Sequence, residues 1–326
     1  MDFKFVLEIF LTVFSLLILI VPCFILAKAK MIGKGAEESL SAVVLYVCQP
    51  LMLLMSFQKT EFSSDVLLNM LFVALLSIAS HGAMIATMFI FVKGDEKKKK
   101  CLRFSAIFSN CGYMGIPFLQ ILYGGNGEIL IYAGVVIGVF NILAWTVGAY
   151  MFTGDKKQAS FKKAVMNPNL IALALGLILF VAFKKPVADL AESGGILDGI
   201  LEKLVKSLTF FADMVTPLSM SVIGIKLSKT SFKKIFTDKT AYLSSAMKLV
   251  VMSLFTMLIV AFLPIDLTVK NVVFFTLSMP SATMTVLFAV KFDGDAESAT
   301  ANVLLSTMLS VVTVPLVYML YSLVCI

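Results

Sequence analysis

Few side chains in this 326-residue chain could do chemistry away from water, and two short runs concentrate them. One is Ser109-Asn110-Cys111-Gly112-Tyr113-Met114-Gly115-Ile116-Pro117; the other is Ser278-Met279-Pro280-Ser281-Ala282-Thr283. Each lies inside an apolar stretch. Proline lacks the N–H that a helix needs, and each glycine costs a helix about 1 kcal/mol, so both runs predict a broken helix. Irregular backbone at membrane depth survives only where protein buries it or it lines a cavity. A half-helix restarting after each break would offer free N–H groups and a positive dipole end, which suit a carboxylate. The candidate substrate-binding residues are Asn110, Gly112, Tyr113, Pro117, Ser278, Pro280, Ser281 and Thr283. The plainer alternative, that each proline only kinks its helix, is weakened by their matching places in the chain.

Ionisable residues inside the apolar stretches are His81, Asp213, Lys248 and, near one end, Glu8. An intramembrane charge costs at least about 2 to 3 kcal/mol, so each needs a reason. A charged Lys248 requires Asp213 or backbone carbonyls as partner, or else snorkels to the interface. His81, the only histidine, either carries a coupled proton or is a hydrogen-bonded structural residue. His81, Asp213 and Lys248 are thus the coupling candidates, for H+ or Na+. Enzyme signatures are missing: there is no HExxH, no GxSxG with a histidine partner, and no nucleotide-binding glycine pattern. Five scattered cysteines without ligand spacing imply neither a disulfide framework nor a metal, and no cofactor is expected. Gly124-Gly125-Asn126-Gly127 reads as a turn, and Asp293-Gly294-Asp295 is only a fragment of a calcium loop.

The elements that must position these residues follow from composition. Sixty per cent of the residues are hydrophobic and only 14% charged, far from a soluble domain. Long continuous apolar runs exclude disorder and the alternating strands of a membrane barrel. Ten runs can be drawn, at 5–27, 39–57, 66–92, 104–123, 129–152, 168–183, 207–226, 241–263, 271–291 and 299–325. Ahead of the seventh, Ile196, Leu197, Ile200, Leu201, Leu204 and Leu208 predict an amphipathic interfacial helix. The first run is longer than a signal peptide's apolar core and reads as a retained span. The net charge of +7 lies in short loops, which indicates the surface of a lipid bilayer rather than nucleic acid.

The two halves echo each other. Gln49-Pro50-Leu51 pairs with Thr216-Pro217-Leu218, His81 with Lys248, Pro117 with Pro280, and the loop Tyr123–Glu128 with Phe292–Glu297, all at offsets near 167. Spans one to five then recur as six to ten, and because five is odd the second copy is inverted, as in many secondary transporters. The expected fold is an all-α integral membrane protein of ten transmembrane helices in two inverted five-helix repeats, 1–152 and 168–326, joined by a cytoplasmic linker, 153–167. Loops after odd-numbered spans hold 19 of the 27 Lys and Arg residues, which sets both termini outside the cytoplasmic membrane.

Asn110-Cys-Gly-Tyr-Met-Gly-Ile-Pro117 with Leu122-Tyr123-Gly124 resembles the Asn-x-Gly-x-x-Gly-x-Pro…Tyr-Gly signature of the auxin efflux carrier family, which includes plant PIN carriers and bacterial malate and malonate permeases. Asn167-Pro168-Asn169, Pro217-Leu218-Ser219 with Gly224, and Met279-Pro280 leading to Ala289-Val290-Lys291-Phe292 are similar to its second-half motifs. The resemblance implies the inverted-repeat fold of bile-acid/sodium symporters, with broken helices four and nine crossing between a scaffold and a transport domain. It matches Asn110 to the family's carboxylate-contacting asparagine, and Pro117 and Pro280 to its crossover prolines. The linker lacks the long insertion of plant long-form carriers, which favours a dicarboxylate over auxin. The expected function is a permease for a small organic anion working by alternating access, as monomer or homodimer; a transport-fold receptor or a channel is the alternative.

The charge distribution makes an experimental statement. In a cysteine-free background, cysteines placed at Lys97 to Lys100 should react with an impermeant reagent only after the membrane is opened. Labelling in intact cells would reverse the orientation.

Overall fold

The computed structural model describes residues 3–94, 96–190, 195–230 and 232–325. Helices account for nearly all of it. We number them α1 (Phe3–Lys28), α2 (Ala36–Gln58), α3 (Ser64–Phe91), α4 (Lys97–Ile107), α5 (Cys111–Leu122), α6 (Gly127–Thr153), α7 (Pro168–Phe183), α8 (Ile196–Asp213), α9 (Val215–Ser228), α10 (Lys239–Ala261), α11 (Leu267–Ser278), α12 (Met284–Lys291) and α13 (Ala296–Cys325). Among the described residues seven helices are long and apolar enough to cross a bilayer, and α7 with the segment before it, bent by 43°, makes an eighth. The two remaining apolar runs are each split into two short helices, α4 with α5 and α11 with α12. The expected interfacial helix before the seventh run is instead continuous with it, since α8 runs almost without interruption into α9.

Local chemistry sets the helix starts. Ser63, Asn126, Asn167, Asp238 and Asp266 each accept a backbone N–H of the first turn, satisfying donors that would otherwise be orphaned at a membrane edge. Pro168 follows Asn167 in the first turn, where its missing N–H does no harm. Helices α6 and α11 are buried nearly all round, whereas α1 is apolar on both faces and buries only one. In α1 Val6, Ile9, Val13, Leu16 and Ile20 face protein, whereas Leu7, Leu11, Phe14, Ile18 and Ile25 are exposed, as suits a lipid-facing side.

The helices sort into two bodies. One is a panel in which α1 lies along α9, α9 touches α2, and α2 packs on α7 and α8. The other is a core in which α3, α4, α6, α10, α11, α12 and α13 pack on one another, enclosing both broken helices. Panel and core meet where α2 and α7 touch α6, α1 touches α13, and α9 and α1 touch α5. Helices associate in a bilayer by close packing of small residues rather than by a hydrophobic effect. Gly224 in α9 lies against the backbone of α1: a Cβ there would clash with the Ile20 carbonyl and come within 3.0 Å of the Phe24 nitrogen. Neither atom can rotate away.

That contact is testable against an internal control. Gly82 in α3 has open space where a Cβ would go. Gly224→Ala should lower thermal stability, as overpacking by about 1 to 3 kcal/mol does, whereas Gly82→Ala should be neutral or gain up to about 1 kcal/mol from helix propensity. Equal effects in a melting experiment would remove the α1–α9 backbone contact from the account.

Candidate functional site

The two breaks meet. After Ile107 the chain turns extended at Phe108 (φ −92°, ψ 122°), and after Ser278 it does so at Met279 (φ −61°, ψ 155°). The Asn110 N–H donates to the Pro280 carbonyl at 2.7 Å and the Ala282 N–H to the Phe108 carbonyl at 2.9 Å. Ser109 and Ser281 therefore face each other across a single antiparallel bridge, through which each break satisfies backbone groups of the other.

The second break falls where the sequence predicts, within Ser278–Thr283. The first does not. Gly112, Gly115 and Pro117 lie beyond it in the restarted helix α5, whose first five residues, Cys111–Gly115, form a π-helical turn. There the Ile116 N–H reaches back to the Cys111 carbonyl, and this wider turn leads into Pro117 in the first turn of regular α-helix, where it breaks nothing. What interrupts the helix is the pairing of residues 108–110 with the other crossover, a long-range contact that no local residue type announces.

Several predicted residues converge here. Asn110 is 3% exposed; its carbonyl accepts the N–H groups of Met114 and Gly115, while its side-chain Nδ2 has no hydrogen-bond partner. The hydroxyls of Ser278 and Ser281 are also buried and unpartnered, as are those of Ser109 and Thr285, which the sequence reading did not select. These groups lie on the two crossover segments or in the turn after them, although buried side chains elsewhere, such as Ser245 and Ser253, are unpartnered as well. Pro280 supplies the bridging carbonyl, and Thr283 is half-buried at the start of α12. Tyr113 lies in the π-helical turn that follows Asn110, and its hydroxyl reaches the Ser41 carbonyl on α2 at 3.5 Å.

Gln49 was missed as a site residue. It is buried on α2, donates from Nε2 to the Gly112 carbonyl at 2.9 Å, and accepts from Asn169 Nδ2 on α7 at 2.9 Å. It links the panel directly to the restarted helix. Its signal was an amide beside a proline in an apolar run, matched by the polar Asn167-Pro168-Asn169.

Of the alternatives open to Lys248, backbone carbonyls are the partners found. Lys248 is fully buried in a π-helical turn of α10 and does not snorkel. Nor does it pair with Asp213, which is exposed at the end of α8 in the panel, whereas Lys248 belongs to the core. Its ammonium donates to the Leu277 carbonyl at 2.9 Å and to the Ile107 carbonyl at 3.4 Å, the last turns of α11 and α4. His81 is fully buried as well. Its Nδ1 lies 2.8 Å from the Ser77 carbonyl, which makes Nδ1 the protonated nitrogen and leaves Nε2 an unpartnered acceptor. Its ring sits 5.8 Å from that of Phe108.

The crossing is thus electrically divided. Helix C-termini carry roughly −0.5 elementary charge and N-termini roughly +0.5. The ends of α4 and α11 meet at Lys248, while the starts of α5 and α12 meet beside Asn110 and Thr283. A cavity of about 610 Å³ bordered by Lys97, Lys100, Phe152, Asp155, Lys291 and Asp293 opens near the start of α4 and the end of α12. Between it and the crossing lie the packed rings of Phe288, Phe104 and Phe108, with centroids 4.9 and 4.4 Å apart.

A family model described as membrane transport protein matches residues 8–163 and 157–318. An uncharacterized transporter of Methanothermobacter thermautotrophicus is 25% identical over 311 residues, covering 94% of this chain and 96% of its own. A second, from Methanocaldococcus jannaschii, is 25% identical over 303 residues, covering 88% and 92% respectively. With the model matched along almost the whole chain, the protein belongs to the membrane transport protein family, that of the auxin efflux carriers its motifs resemble.

Proposed function

We propose that the protein is a secondary transporter that moves a small organic anion across the cytoplasmic membrane by alternating access, with the substrate carboxylate held at the crossing of the two broken helices. The observation that carries this reading is the cluster of unpartnered polar groups led by Asn110 Nδ2, beside two helix N-termini and sealed from both sides. A neutral amide donor and positive dipole ends attract a carboxylate without the desolvation cost of a permanent cation at the same point.

Burial of the site supports alternating access. Asn110, Ser278 and Ser281 are 3%, 1% and 0% exposed, so a substrate reaches them only if packing around the crossing changes. The division into panel and core supplies two bodies that can rock against each other, and the Gln49 bond to Gly112 is the kind of contact such a motion exchanges. The reading divides the chain into inverted repeats, with one broken helix in each, so that the two crossover segments are equivalent. With loops after odd-numbered spans in the cytoplasm, the open 610 Å³ depression faces inward, and its three lysines, one of them paired with Asp293, outnumber its two aspartates by one. If a proton is coupled, His81 is its carrier, because its Nε2 is free to accept one beside the crossing.

The test is a pair of substitutions. Asn110→Asp places a negative charge against the substrate, and like charges in a poorly screened site repel by several kcal/mol, more than the roughly 1.4 kcal/mol of a tenfold change in affinity. Uptake or binding of an anionic substrate should fall much further for Asn110→Asp than for Asn110→Ala, with expression and melting temperature retained in both. Equal, small losses would mean that Asn110 only terminates a broken helix.

A further inference from the structure

Lys248 has a place in the molecule that its role as a buried residue does not explain. It is held by two carbonyls that belong to different helices, both at C-terminal ends, and among the described residues no carboxylate lies within ion-pair distance. Among the described residues, the ion pairs of Lys97 with Asp293, Lys99 with Glu96 and Lys229 with Glu37 are away from the crossing. The titratable groups that act on Lys248 are His81 on α3 and the Cys111 thiol at the start of α5, neither of them acidic in the ordinary sense. The negative partner of the ammonium is therefore the pair of helix ends itself. Two C-termini of roughly −0.5 charge each sum to about one unit, which one ammonium offsets. Carbonyls at the ends of broken half-helices are also the ligands that transporters use for a monovalent metal ion.

We propose that Lys248 is the resident cation of the crossing: its ammonium occupies the place between the ends of α4 and α11 that a sodium ion would otherwise fill, so the protein needs no sodium there. The inference rests on the transporter reading for its meaning but not for its test. A covalently attached cation stays in both access states and never has to be captured from solution. It also keeps the negative helix ends neutral while an anion comes and goes at the positive ones.

The experiment is thermal unfolding of the purified protein without any substrate, in sodium chloride against choline chloride at equal ionic strength. Wild type is expected to melt at the same temperature in both; a saturable rise with sodium would overturn the proposal. Lys248→Ala, which removes both the charge and the volume, should melt several degrees lower in choline and recover part of the loss in sodium chloride or n-propylammonium chloride, but not in tetramethylammonium chloride. Lys248→Met keeps the volume and removes the charge; it should melt lower than wild type and recover in no salt. If Lys248→Met matches wild type, or Lys248→Ala responds to no small cation, the ammonium is not the site's cation. Should Lys248→Ala fail to fold, the wild-type sodium titration and Lys248→Met decide the matter. Failure of either leaves the anion reading to stand or fall on Asn110.

Discussion

Two helices that stop in the middle of an apolar body leave backbone groups with nowhere to turn, and the rest of the structure answers that constraint. An unsatisfied N–H or carbonyl in hydrocarbon costs several kcal/mol. The answer has three parts. The breaks pair with each other through Asn110 with Pro280 and Ala282 with Phe108. Lys248 takes the carbonyls of Leu277 and Ile107. Gln49 takes that of Gly112, and is itself fixed by Asn169. What these leave over, the Asn110 amide and a set of serine and threonine hydroxyls, is the part that a ligand can use.

The same constraint accounts for the arrangement of bodies. A crossing can be kept dry only if helices surround it on every side, and α3, α6, α10 and α13 do so within the core. The panel touches the crossing chiefly through α9 and Gln49 of α2, both against α5. Contacts inside the core are aromatic, as in the Phe104, Phe108, Phe140 and Phe288 cluster, whereas Gln49 adds a polar link to the helix packing between panel and crossing.

Much of this was legible in the residues. Apolar runs gave the helices, Asn and Asp before them gave the starts, and Ser278–Thr283 with its lone proline gave the second break where it is found. Asn110 was legible too, as an amide inside an apolar run. The first break opens at the head of its run rather than at Gly112 to Pro117, because its cause is a partner 170 or so residues away and because a π-helical turn lets Gly112 and Pro117 stay helical. For Lys248 the residues left Asp213, backbone carbonyls or the interface as alternatives; only the packing brings the ends of two helices to it, and two such ends balance an ammonium as a carboxylate does. That the Tyr113 hydroxyl reaches α2 is set by packing and not by local sequence. Gln49 was passed over because its contacts join segments distant in sequence.

The central claim is that the crossing recognises the negative charge of a carboxylate through neutral donors and helix dipoles. It is tested most directly by thermal unfolding of the purified wild-type protein with a panel of small mono- and dicarboxylic acids and the methyl ester of each. Any acid that stabilises the protein should lose at least a tenfold share of its apparent affinity as the neutral ester, about 1.4 kcal/mol or more. An ester that stabilises as well as its parent acid would show that the crossing reads shape or polarity rather than charge, and would contradict the account.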